Sequence, residues 1–363
     1  MFKLTKILFL FFLLFFPSFV WAQSQPALSS SEQKAIVGRD LVFHRQYNEA
    51  LNYFKKIQQE EPASVLGTFG QMAIWQVRMF ENYDNRFEKE YELISSENKK
   101  IVDAVLNQKD PEAWELFLAA ASSGLRGFYL MRSDAYFRAL VEAARARKAM
   151  NRAIQKDPGF YDPYLGLGMY DYWRSVFTNR LTFLPFFKDK RQEGLEQVKL
   201  ALSKGRVVGA LAEVSLAFCL HESRDTQEAI PLLESILKKY PESIIVRNLL
   251  GDLYIAKGEY AKAHLIYDQL LKEHADITVA QFFKAMAYFK EGKLVEARTW
   301  YEKFLATAPV SAWKAYALTD LGRIDLKEGK EEAAFNHFKE AYHSYPDYNL
   351  PLKELNKLRE RKK

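Results

Sequence analysis

Few side chains in this sequence stand at spacings that could carry out chemistry. His221 and Glu222 begin the pattern of a zinc-protease helix, in which two histidines at i and i+4 share a face with a glutamate base, but the second histidine is absent. Gly166, Leu167 and Gly168 lack both the third glycine and the preceding strand of a phosphate-cradling loop. The chain has a single cysteine, Cys219, which can build neither a zinc ribbon nor an internal disulfide. The six histidines, His44, His221, His264, His274, His337 and His343, are scattered, and no Gly-x-Ser-x-Gly elbow occurs. The expectation is a protein that is not an enzyme, with no catalytic residues, no cofactor and no metal.

Binding is better represented. Phe282, Met286 and Phe289 recur at i, i+4 and i+7, which puts all three on one face of a helix. Tyr161, Tyr164, Tyr170, Tyr172 and Trp173 have flat faces that could stack on sugar rings, although aromatic stripes at such spacing also fill cores. The two clusters keep two readings open. One is a surface for a protein or peptide; the alternative is a glycan-binding or glycan-processing accessory protein using the aromatic 160–194 region.

The elements that must position these residues follow from a period of 34. Blocks 210–243, 244–277, 278–311 and 315–348 place Ala229, Ala263, Ala297 and Ala334 at one position and Leu233, Tyr267, Tyr301 and Phe338 four residues later. A loop glycine recurs at Gly258, Gly292 and Gly329, and Pro241, Pro309 and Pro346 close three of the blocks. Each block holds two amphipathic runs separated by a turn, with apolar residues at three- and four-residue intervals. Small residues allow two helices to approach and the aromatic ones fill the space beside them. No block buries its apolar face alone, so stability requires stacking.

This pattern resembles the tetratricopeptide repeat, and the resemblance implies an all-α fold, a right-handed superhelical solenoid of helix pairs whose first helices line a concave groove. Carried onto this sequence, the groove face includes Asn248, Asp252, Phe282, Met286, Phe289 and Arg323. That mixture suits an extended or helical peptide anchored on aromatic rings and fixed by a few donors. The implied function is a protein-protein interaction scaffold; the Lys/Asn arrangement with which some co-chaperone repeats clamp a terminal carboxylate is not reproduced.

Upstream the period loosens. Residues 31–64 form a regular unit through Gly38, Tyr47, Ala50, Phe54 and Pro62, whereas 65–206 is divergent, with helices one or two turns longer than standard. Eight helical pairs are expected, five of them regular, and the superhelix should be distorted over the long ones. Gly168 and Gly194 stand 26 positions apart where Gly251 and Ala263 stand 12 apart, so fourteen extra residues fall within an insertion at 174–190. It carries Leu181, Phe183, Leu184, Phe186 and Phe187, too apolar for solvent-facing filler, and is expected to cover the groove or a neighbouring repeat, to meet a partner, or to make an interfacial membrane contact flanked by Arg180, Lys188 and Lys190. The stretch from Gly166 through Tyr172 and the Leu184-Pro185-Phe186 run also resemble uncharacterised exported bacterial repeat proteins.

Lys3 and Lys6, the apolar run over 7–16, Pro17 and Ala22 form an export signal over 1–22 with a cut before Gln23, and no cysteine follows that would make it a lipoprotein. A flexible leader follows over 23–30, the array over 31–348 and a basic C-terminal cap helix over 349–363. The expected location is the periplasm or envelope. The formal charge of +6 is mild and interspersed, which argues against nucleic acid as a partner; peripheral contact with an envelope membrane is the remaining electrostatic expectation.

Overall fold

The structure, a computed structural model, describes residues 27–178, 188–307 and 310–361. The signal over 1–22 and the insertion residues Leu181, Phe183, Leu184, Phe186 and Phe187 lie outside the described residues. Among the described residues there are seventeen α-helices and no strand. Sixteen form eight antiparallel pairs: α1 (Ser30–Phe43) with α2 (Tyr47–Glu60), α3 (Leu66–Asn82) with α4 (Glu88–Asn107), α5 (Ala113–Arg132) with α6 (Tyr136–Lys156), and α7 (Pro163–Thr178) with α8 (Arg191–Lys204). The series continues with α9 (Gly209–Glu222) and α10 (Thr226–Lys239), α11 (Ile244–Lys257) and α12 (Tyr260–Glu273), α13 (Val279–Glu291) and α14 (Leu294–Leu305), and α15 (Ser311–Lys327) and α16 (Glu331–Ser344). A last helix, α17 (Leu350–Arg361), lays Leu355 and Leu358 against Ala334 and Phe338. No helix among the described residues is long and apolar enough to cross a membrane.

The repeated small residues stand where helices touch. Ala50, Ala229, Ala263, Ala297 and Ala334 have no solvent exposure, and Tyr267, Tyr301 and Phe338 are equally buried beside them. Gly251 faces the Tyr267 ring and Gly322 the Phe338 ring so closely that a Cβ would collide with either. Chain entry is marked by Ser29, whose hydroxyl accepts from Glu32 N (3.2 Å) while the Glu32 carboxylate accepts from Ser29 N (2.8 Å). This reciprocal cap satisfies two otherwise unpaired amides.

One backbone feature unites regular and divergent pairs. In each of the last three pairs the turn takes a left-handed residue at Gly258, Gly292 or Gly329; in four earlier pairs the same place is held by Arg45, Tyr83, Asp134 or Arg224. Glycine adopts this conformation without steric cost, whereas an L side chain there costs about 1–2 kcal/mol. Two divergent pairs, at Tyr83 and Asp134, and two regular ones, at Arg45 and Arg224, therefore keep the turn geometry with a side chain at that position.

The long polar helix α4 buries Tyr91, Ile94, Val102 and Val105, and hydrogen bonds accommodate the polar residue buried among them. Asn98, fully buried, donates to Thr68 Oγ1 (3.0 Å) and Ser122 Oγ (3.2 Å) and accepts from Arg126 Nη1 (2.6 Å). Buried polar groups are tolerated when paired in this way.

Candidate functional site

The last turn of α3 and the Tyr83 that ends it lie against the first helices of the later pairs. The Phe80 ring is 5.6 Å from Phe218 on α9. Glu81 O accepts from Asn248 Nδ2 on α11 (3.3 Å). Asn82 Oδ1 accepts from Val279 N (3.0 Å) and Thr278 Oγ1 (3.3 Å), which caps the start of α13 from another part of the chain. The Tyr83 ring reaches farthest, 4.9 Å from Trp313 on α15 and 6.5 Å from Phe283 on α13.

Charged residues secure both flanks of this turn. The Glu81 carboxylate binds Arg45 (2.7 and 3.1 Å) and the Tyr47 hydroxyl (2.7 Å), and Arg45 Nη1 lies 3.2 Å from His274 Nε2. Arg86 donates to Asp276 Oδ2 (3.2 Å) and to its carbonyl (3.1 Å); Arg132 donates to Asp84 O (3.1 Å). Burial, with the Asp252 charge adding to it, pushes the Tyr83 phenol well above its ordinary range, so it stays neutral in the interface. Asp252 is held by His221 Nε2 and Arg224 Nη1, each at 2.6 Å. Burial opposes its charge, but these hydrogen bonds and cations outweigh that cost and keep its carboxyl below the usual carboxylate range.

The six groove residues expected from sequence divide into three groups. Asn248 is buried beneath residues 80–83, and Asp252 is engaged by His221 and Arg224 close to Tyr83. Phe282 is a core residue, 5% exposed, with its ring 5.5 Å from Tyr301, 5.6 Å from Phe304 and 4.9 Å from Trp313. The helical face carrying the i, i+4, i+7 stripe is thus divided, because Phe282 turns toward α14. Met286 packs partly buried against the same core. Phe289 and Arg323 keep solvent contact. The Lys327 ammonium lies 4.9 Å from the Phe289 ring, and Arg323 pairs with Asp320 at 3.1 Å.

Phe80, Asn82, Tyr83, Phe283 and Trp313 were not among the site residues expected from sequence. A signal existed in Asn82-Tyr83-Asp84, which occupies the place of the repeating loop glycine. In the aromatic 160–194 region, Phe160 and Tyr172 are fully buried; the Tyr172 hydroxyl donates to Cys219 O and Glu222 Oε2, both at 2.7 Å. These two rings are packing elements, not sugar platforms. Cys219 is buried beside Met169, and burial, with the Glu222 charge adding to it, pushes its thiol up to about 12, so it is a protonated, unreactive group.

A second concavity of about 400 Å³ between α1, α8, α9 and α10 includes Arg39, Arg206, Lys239 and Glu213 in its lining. Its cations are engaged: Arg39 by Asp40 and the Val207 carbonyl, Arg206 by Glu32 (2.9 Å), and Lys239 by Glu213 (2.9 Å). No group of His, Cys, Asp and Glu among the described residues is arranged to hold a metal ion.

Paired helices with interdigitated small and aromatic residues define an α-solenoid, a class of fold that in general binds other macromolecules. A family model for the tetratricopeptide repeat matches residues 220–287, and the fold of the described residues is all-α and tetratricopeptide-like. Among solved structures, a human IFIT1 dimer with m7Gppp-AAAA is similar at 14% identity over 93% of this chain and 82% of that one, with a TM-score of 0.50. PilW, a widely conserved type IV pilus biogenesis factor, is similar at 18% identity over 65% of this chain and 97% of its own, with a TM-score of 0.46. Pseudomonas aeruginosa pilF is similar at 17% identity over 67% and 98%, with a TM-score of 0.45. These likenesses concern the fold alone. No curated protein matches the sequence.

Proposed function

We propose that the protein is an exported interaction scaffold that holds a peptide or protein partner along the concave face of its tetratricopeptide superhelix. The observation that supports this reading is that the first helices already receive another part of the chain, the last turn of α3 and Tyr83. Residues 80–83 lie across four first helices, with a main-chain carbonyl on Asn248, a carboxamide on the α13 amide and an aromatic ring on Trp313. Main-chain pairing combined with ring pockets is how grooves recognise peptides in general. The partner site is the free continuation of that face, with Phe289, Lys327 and Arg323 as its accessible residues and Met286 behind them. The export part of the reading rests on Lys3, Lys6 and the apolar run over 7–16.

Position-specific photocrosslinking tests this reading. A photoreactive side chain at position 289 should yield an adduct with a second protein in envelope extracts. The same side chain at position 283 should yield an internal adduct to residues 80–86. An exclusively internal adduct at 289, or none, would contradict the proposed surface.

A further inference from the structure

Helix α6 has one face committed to the fold and another left uncovered. Ala139, Glu142, Ala149, Met150 and Ala153 are buried, and Arg145, Arg152 and Lys156 turn toward α4 and the residues following it, bonding Asp103, the Leu106 carbonyl (3.1 Å) and Asp110 (2.5 Å). The opposite face exposes Phe137 (79%), Leu140 (64%) and Val141 (53%). Phe177 on α7 is also exposed (58%). The antiparallel register brings it to the same place. Arg147 lies over the Tyr170 ring at 5.5 Å and Gly166 meets Met150, so Phe177, seven residues past Tyr170, falls opposite Leu140, seven before Arg147. Scattered exposed apolar residues need no explanation; a contiguous set of four large ones does.

The exposed charges that α6 itself contributes beside this patch are positive. Arg138, Arg147 and Lys148 are exposed on α6, whose only carboxylate, Glu142, is buried 3.5 Å from Arg126. Asp134, just before the helix, accepts from the Tyr136 hydroxyl at 2.7 Å. We propose that this face, an apolar band of Phe137, Leu140, Val141 and Phe177 bordered by Arg138, Arg147 and Lys148, is a docking surface for an anionic lipid bilayer. A helix with bulky apolar residues on one side and Arg and Lys at its borders lies in the plane of the lipid interface, with the rings among the acyl chains and the cations at the phosphates. Long Arg and Lys stems reach headgroups while their methylenes stay against the apolar band. A second copy of the chain is disfavoured as the occupant, because two such faces would bring like charges together.

Vesicle co-sedimentation tests the assignment, using the chain beginning at Gln23 so that the apolar run over 7–16 does not contribute. At low salt the protein should pellet with phosphatidylglycerol-containing vesicles and fail to pellet with pure phosphatidylcholine. Raising the salt should release it. Phe137→Glu with Leu140→Glu should abolish pelleting, and Arg138→Ser with Lys148→Ser should weaken it by about thirtyfold, at unchanged circular dichroism. The proposal is overturned if the parent ignores anionic vesicles, if either folded double variant binds as the parent does, or if only a soluble acidic polypeptide competes for the face.

Discussion

A Gly168→Val substitution is expected to destabilise the protein by more than about 3 kcal/mol, beyond the usual cost of overpacking a core. Helices α7 and α8 cross at Gly168 and Gly194 with their backbones in contact. A Cβ at 168 would stand 2.5 Å from Gly194 O and 2.9 Å from Val198 N, and one at 194 would stand 2.7 Å from Gly168 O and 2.8 Å from Tyr172 N. No rotamer change moves a backbone atom, so the helices must separate, and buried Tyr172 and Val198 lose their packing. Gly124→Ala supplies the contrast. It lies within α5, is exposed, and its Cβ would meet nothing within 4 Å, so alanine should stabilise by about 0.5–1 kcal/mol through helix propensity. Denaturant unfolding followed by circular dichroism, with hydrogen exchange to localise the loss, measures both; an unshifted midpoint for Gly168→Val would refute the close crossing.

The second large effect concerns Tyr83. Its backbone is left-handed, φ 52°, where glycine would relieve about 1–2 kcal/mol of strain. Its half-buried ring is packed against Trp313 and Phe283, and truncating it costs at most the roughly 3–5 kcal/mol of a fully buried aromatic. The ring term is larger, so Tyr83→Gly should be destabilising despite its favourable backbone. Amide protection should fall over 279–283 and around Asn248, and small-angle scattering should report a more open particle. A Tyr83→Gly protein as stable and compact as the parent would mean that the ring does not hold the turn in place.

The pairing of helices was legible because it is written locally. Ala229, Ala263, Ala297 and Ala334, with Tyr267, Tyr301 and Phe338 four positions behind the last three, serve contacts within one block or with the next, and the period records them directly. Gly168 and Gly194 could be aligned to the same frame across the insertion for the same reason. The packing of residues 80–83 on the later first helices could not be read this way. It joins residues such as Glu81 and Asn248, 167 positions apart, and no periodic signal encodes a contact between the divergent and regular parts of an array. Phe282 shows a related limit. Helical spacing fixes which residues share a face, but whether that face meets the paired helix or the groove depends on the crossing geometry, and here Tyr301 and Phe304 claim the ring.

Whether the concave face binds a partner through its free continuation is tested most directly by affinity capture with matched variants. The parent chain and a Phe289→Ala, Arg323→Ala double variant would be compared as bait in envelope extracts after their melting curves are recorded. Phe289 packs partly on the core and Arg323 pairs with Asp320, so melting should fall modestly while the protein stays folded at the assay temperature, and loss of an aromatic and a cationic contact should reduce recovery of the crosslinked partner by about thirtyfold or more. A double variant that stays folded and recovers every partner in equal amount would contradict the account.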